Sequence, residues 1–99
     1  MNTVALVVKL VAKPGGEDTV AEFLKGALEL ANAEPGTSVW FALRTDTATF
    51  WIVDAFPSDA ERQTHLAGPI AAALMEHASA LLLVAPEIMP AEVLAEKVP

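Results

Sequence analysis

Apolar and polar positions alternate along the chain with periods that change at a few breakers. Thr3 to Ala12 (TVALVVKLVA) is dense in β-branched residues and stops at Lys13-Pro14-Gly15-Gly16, which predicts a strand closed by a turn. Val20, Phe23, Leu24, Ala27, Leu28 and Ala31 then recur at helical spacing, opposite Glu22, Lys25 and Glu29. This helix begins at Glu17 and Asp18, whose charges suit a helix N-terminus, and ends near Asn32 before Glu34-Pro35-Gly36. Thr37 to Arg44 and Thr49 to Phe56 read as two strands of a hairpin around Thr45-Asp46-Thr47-Ala48. Ser58-Asp59-Ala60-Glu61 has the capping-box form and predicts a second helix. That helix is interrupted at Gly68-Pro69, with Pro69 as the first residue of the restarted segment, and resumes through Ile70, Leu74, His77 and Leu81. Ala91 to Val98 alternates as a last, edge strand.

The order β-α-β-β-α-β predicts an α+β, ferredoxin-like sandwich with both helices on one face of the sheet, built by residues 1–99 as one domain. Period-two bookkeeping gives one face to Val4, Leu6, Val8 and Leu10, with Val39, Phe41, Leu43, Phe50, Ile52, Asp54 and Phe56. This larger, more apolar set is assigned to the helix-packed core. The other face takes Ala5, Val7, Lys9 and Val11 with Trp40, Ala42, Arg44, Trp51, Val53 and Ala55. No helix remains to cover that face, and a second copy of the chain is the economical cover, so a homodimer is expected.

Charge and composition narrow the partners. Thirteen acidic against six basic residues give a net charge of −7, which argues against nucleic acid and against anionic lipid. The absence of cysteine excludes disulfides, iron–sulfur clusters and thiolate zinc sites. Without cysteine or a signal-peptide pattern, the expected compartment is the cytoplasm. Hydrophobic residues make up 54% of the chain, yet no apolar run approaches the roughly 20 residues of a membrane span.

The order and spacing of several short segments carry a resemblance. These are Lys13-Pro14-Gly15 with its acidic helix start, Glu34-Pro35-Gly36, and Asp54-Ala55-Phe56 at the hairpin's end. They continue with Ser58-Asp59-Ala60-Glu61 and His65-Leu66-Ala67-Gly68-Pro69. Together they resemble the antibiotic biosynthesis monooxygenase (ABM) domain of the dimeric α/β-barrel group, over essentially the whole chain. Asp54 and Phe56 stand where that family usually has Glu and Trp. The resemblance implies a homodimer whose sheets form a barrel, with a pocket in each subunit between sheet and helices. It also implies a small aromatic ligand, a quinol or polyketide phenol, which several members oxygenate with O2 without metal or flavin. Haem-degrading relatives carry an Asn in the first strand, a Trp near position 65 and an axial His about ten residues later. Val7-Val8-Lys9, His65 and Leu74-Met75 stand there instead, so neither a haem nor another cofactor or metal is expected.

Candidate chemistry then falls on two residues. Asp54 lies between Ile52 and Phe56 on the core set, where an unpaired carboxylate is costly. It is either a strand-end cap or a pocket acid or base. His65 matches the family's second-helix His. An imidazole beside an apolar pocket moves protons near neutral pH, whereas a packed helix His merely caps a carbonyl. Phe41, Phe50, Phe56, Leu74 and Met75 are expected to line the pocket, Met75 as an adaptable wall. Trp40 and Trp51 suit interface anchors, and His77 a structural or solvent-facing role. On a continuous helix His65 and His77 stand about 120° apart, which disfavours a metal pair. The leading expectation is a cofactor-independent monooxygenase with His65 as proton shuttle and Asp54 orienting it or serving as acid or base. The alternative is a non-catalytic dimeric module that binds a small apolar ligand.

Overall fold

A computed structural model describes residues 1–99. Its elements are β1 (Val4–Val11), α1 (Glu17–Asn32), β2 (Val39–Arg44), β3 (Thr49–Phe56), α2 (Asp59–Leu66), α3 (Pro69–Leu81) and β4 (Glu87–Glu92). The four strands form one antiparallel sheet in the order β2-β3-β1-β4, the ferredoxin-like arrangement. None of the helices is long and apolar enough to cross a membrane.

Alternation in the two central strands decides the layers. Leu6, Val8 and Leu10 of β1 and Phe50, Ile52, Asp54 and Phe56 of β3 are buried beneath the helices, while their neighbours are only half-buried. Val20 and Leu24 of α1, Leu74 of α3, and Leu82 close the core over them. The turn before α1 requires Gly15, which adopts φ +87°, a conformation a side chain disfavours. At the other end of that turn, Gly16 N–H donates to the Lys13 carbonyl at 2.8 Å.

Three expectations change. The phase of β2 is opposite to the one predicted: Trp40, Ala42 and Arg44 pair with Asp54, Ile52 and Phe50, so Phe41 and Leu43 point to the helix-free side. The hairpin turn is the cause. Thr45 N–H bonds the Thr49 carbonyl at 3.0 Å, and Asp46 Oδ1 accepts from Ala48 and Thr49 N–H at 3.0 and 2.9 Å. Arg44 therefore faces Phe50 and not Thr49, and a one-residue slip exchanges the faces.

The last strand also comes earlier than Ala91 to Val98. Leu83 N–H returns to the Val11 carbonyl directly after α3, and pairing then runs from Glu87 opposite Lys9 to Glu92 opposite Val4. Val93 N–H still reaches the Thr3 carbonyl, but β1 has no further residues to pair with the tail. Because Val93 turns its N–H toward β1, the alternation turns the nitrogen of Pro90 outward at the open edge, where a missing donor costs nothing.

Finally, Ser58 does take the extended N-cap position of α2, but the reciprocal capping box does not form. Its hydroxyl bonds the Glu61 carboxylate, and no side chain caps a backbone N–H there. Gly68 and Pro69 divide the predicted second helix into α2 and α3, with Pro69 in the first turn.

Candidate functional site

Local structure delivers three ionisable side chains to one point. Glu34 follows α1, where Glu34 N–H still bonds the Ala31 carbonyl at 3.1 Å. Thr37 N–H then donates to the Glu34 carbonyl at 3.2 Å, making Glu34-Pro35-Gly36-Thr37 a tight turn with Pro35 at its second position. Gly36 is there for space: a Cβ would lie 2.5 Å from Glu61 Cγ and 2.9 Å from Glu61 Cβ. That close approach seats the turn against α2, whose last full turn carries His65. Asp54 comes from β3, between Trp40 and Leu6 of the neighbouring strands.

His65 lies between two carboxylates. Its Nδ1 is 2.6 Å from Glu34 Oε1 and its Nε2 is 3.1 Å from Asp54 Oδ2. Thr37 Oγ1 donates to the same Glu34 oxygen at 2.8 Å and fixes its direction. Gly68 leaves room for the other one, since a Cβ there would meet Glu34 Oε2 at 3.1 Å. The Phe56 ring packs on the imidazole with centroids 5.2 Å apart. Asp54 is 1% exposed and His65 6%, whereas the Glu34 side chain keeps 16% of its surface in water.

Burial opposes the charged imidazole, but the adjoining Asp54 and Glu34 carboxylates outweigh it and raise the His65 pKa above its ordinary 6.5. Below that raised pKa the doubly protonated ring donates toward both carboxylates, and above it one ring nitrogen is left to accept a proton. The Asp54 contact is an ion pair by distance, yet its angle is poor: neither Asp54 oxygen has a hydrogen-bond partner of good geometry. Across the strands from Asp54, the buried indole Nε1 of Trp40 also lacks an acceptor. No set of three or more His, Asp or Glu side chains is grouped as a metal ion would require.

Of the residues singled out in the sequence, Asp54, His65 and Phe56 come together. Phe50 and Leu74 are buried in the core, where the cavity beside Leu74 holds only about 10 Å³. Phe41 is 56% exposed on the opposite face of the sheet, because of the β2 phase. Met75 is 58% exposed on α3 and lines a different cleft with Lys13 and Leu83. Trp51 lies on the helix-free face with Lys9 above its ring at 5.7 Å, while Trp40 packs against the core side. His77 is exposed and edge-on to Phe23, at 5.8 Å. Glu34 is the member that sequence patterning misses, since Glu34-Pro35-Gly36 reads as a turn and a segment of the resemblance, with no chemistry assigned to its glutamate.

The open space at this site lies outside the core. A cleft of about 430 Å³ between the Glu34–Thr37 turn and α2 is lined by Ala33, Glu34, Pro35, Gly36, Thr37, Glu61, Thr64 and His65.

No protein-family model matches the sequence, and no curated protein matches it significantly. Solved structures do. NE2512, a protein of unknown function from Nitrosomonas europaea, is 54% identical with a TM-score of 0.98, over 100% of this chain and 96% of that one. Rv0793 from Mycobacterium tuberculosis has a TM-score of 0.86 at 15% identity, over 97% of this chain and 99% of its own. An antibiotic biosynthesis monooxygenase has a TM-score of 0.77 at 17% identity, also over 97% and 99%. The last two likenesses concern the fold alone. With more than half of its residues shared along its full length, the chain belongs to the same family as NE2512, on an ABM-like ferredoxin fold.

Proposed function

We propose that the protein is a monooxygenase that uses no bound cofactor and oxidises a small aromatic, a quinol or phenol, with O2. The supporting observation is an acid–base pair withdrawn from water: His65 Nε2 lies 3.1 Å from the buried Asp54 carboxylate, with the Phe56 ring tilted beside the imidazole. Such a substrate needs only to lose its phenolic proton, since the electron-rich anion then reduces O2 itself. Oxidation of a phenol ring C–H through a hydroperoxide to a quinone consumes one O2 and releases one water, so no separate reductant enters. His65 takes the proton and Asp54 stabilises the imidazolium that forms. The working unit in this reading is a homodimer joined through the helix-free sheet face.

The test is oxygen uptake with hydroquinones and naphthols, without added metal or flavin, beside heat-killed protein that measures autoxidation. His65→Gln keeps a polar donor at this position but carries no titratable proton. Uptake by the native protein should fall about 100-fold or more in that variant, the scale of general acid–base catalysis. Equal rates in both proteins would end the reading. A second reading, a non-catalytic dimeric module that binds a small ligand, is favoured by one observation: both imidazole nitrogens already face carboxylates. It predicts unchanged ligand affinity in His65→Gln and no uptake above background by either protein.

A further inference from the structure

We propose that the substrate meets this site from outside, in the 430 Å³ cleft at the Glu34–Thr37 turn, and that Glu34 is the catalytic residue that touches it. The inference rests on the monooxygenase reading and adds to it the docking place, the contacting residue and the kind of substrate. A ferredoxin-like fold suggests a pocket between sheet and helices, but the free space found there does not reach the triad. The cavity beside Leu74 holds about 10 Å³, and a cleft of about 180 Å³ between α1 and the hairpin is lined by Leu24, Leu43, Arg44 and Phe50, with none of Glu34, Asp54 or His65 on it. Asp54, at the inner end of the triad, has no path to an open surface of its own at 1% exposure. Glu34 does: it borders the cleft while its Oε1 sits 2.6 Å from His65 Nδ1.

A phenolic hydroxyl in the cleft transfers its proton to the Glu34 carboxylate and becomes a phenolate. The proton then moves from Glu34 to Nδ1 of a neutral His65, which restores the Glu34 carboxylate and leaves an imidazolium facing Asp54. Thr37 and Gly68 keep the carboxylate aimed for this exchange, one by a 2.8 Å hydrogen bond and the other by leaving space.

The lining also selects the substrate. Glu34 and Glu61 present acceptors, Thr37 and Thr64 present hydroxyls, and hydrophobic wall is nearly absent. An uncharged ring carrying several hydroxyl donors suits that surface. A sulfonate or carboxylate on the ring meets two acidic side chains and is repelled.

Amide NMR of the native chain titrated with hydroquinone, and separately with hydroquinonesulfonate, tests the docking place without requiring turnover. The expected shifts cluster at Gly36, Thr37 and Thr64 with hydroquinone and are at least about tenfold weaker with the sulfonate, a difference worth about 1.4 kcal/mol. Shifts centred on Phe23, Ala78 and Leu82, or no shifts at millimolar ligand, overturn the proposal. Glu34→Gln, which keeps the side chain's shape, then tests the role. Hydroquinone binding should survive in it, while oxygen uptake is lost and the pH profile of any residual rate moves. An unaltered rate and profile in Glu34→Gln refutes the role of Glu34 while leaving His65 as the base. Absence of uptake by the native protein refutes the monooxygenase reading, and the titration still decides the docking place.

Discussion

Glu34 and His65 lie thirty-one residues apart and join across 2.6 Å, so one hydrogen bond links the turn after α1 to the last turn of α2. This contact ties the turn after α1 to α2, and the longer one from His65 to Asp54 carries the link on to the buried face of β3. Thr37 and Gly68 preserve it from either side.

The first consequence is electrostatic. His65 should titrate above 6.5, because the two carboxylates outweigh the effect of burial. Both Glu34→Gln and Asp54→Asn should lower its pKa, each by removing one negative neighbour. Imidazole NMR titration of the native chain and the two variants measures this directly. A His65 pKa at or below 6.5 in the native chain contradicts the arrangement.

The same shift makes stability depend on pH. His65 binds its proton more tightly when folded than when unfolded, so its contribution is complete below the unfolded pKa of about 6.5. It declines as pH rises through the raised folded value, because deprotonation then removes the attraction to Asp54 and Glu34. Urea denaturation of the native chain and His65→Gln should therefore show their stability gap narrowing as pH rises above the ordinary histidine value of about 6.5. A gap that widens over that range reverses the sign and rejects the ion-pair account.

Removing the imidazole altogether is a harsher change. His65→Leu leaves Asp54 buried beside an apolar side chain and should cost about 3–5 kcal/mol, the usual penalty for stranding one member of a buried pair. Asp54→Leu with His65→Leu replaces the inner pair by hydrocarbon and should cost less than the two single changes added together. Chemical denaturation of the four proteins gives the coupling. Simple additivity shows that the two side chains do not interact.

Much of this fold is legible in the chain because local rules agree with the tertiary result. Leu6, Val8 and Leu10 alternate with half-buried neighbours, and of the α1 apolar positions Val20, Leu24, Ala27 and Ala31 are buried, while Phe23 is half-buried and Leu28 exposed. What escapes is decided by one-residue geometry or by long-range contact. The Asp46 cap sets the hairpin one residue away from the symmetric reading, which sends Phe41 outward and Trp40 inward. Ala91 to Val98 alternates well enough for a strand, but only Ala91 and Glu92 fall in β4, because pairing with β1 stops at Val4 opposite Glu92. His65 and Asp54 are visible as misfits on apolar stretches. Glu34 is not, since a glutamate before Pro-Gly has a sufficient local explanation and its partner lies in another helix.

Two glycines should respond in opposite ways. Gly36→Ala places a methyl 2.5 Å from Glu61 Cγ, so the turn or α2 must move and stability should fall by about 1–3 kcal/mol. Hydroquinone-dependent chemistry should weaken with it, because the same movement shifts Glu34. Gly26 is an exposed residue inside α1 with nothing within 4 Å of its added Cβ, so Gly26→Ala should stabilise by about 0.5–1 kcal/mol. Thermal denaturation ranks the three proteins, and equal effects of the two substitutions would refute the packing argument at Gly36.

The last prediction concerns the face that no helix covers. Phe41, Val53, Val7 and Met89 form an apolar row across all four strands, beside a second row of Leu43, Trp51, Lys9 and Glu87. Phe41 and Leu43, on the edge strand β2, are 56% and 46% exposed, and with the rows beside them they make a contiguous apolar patch on the sheet face. A second copy meeting this face buries both rows, and the isologous contact lets Lys9 and Glu87 of one protomer face their counterparts. Sedimentation equilibrium of the native chain should give twice its 10.4 kDa mass. Phe41→Glu with Leu43→Glu places four like charges across the dimer's junction and should give a monomer with unchanged helix content, since neither residue touches the core. A native monomer at micromolar concentration removes the dimer, and a variant that stays dimeric moves the interface to another surface.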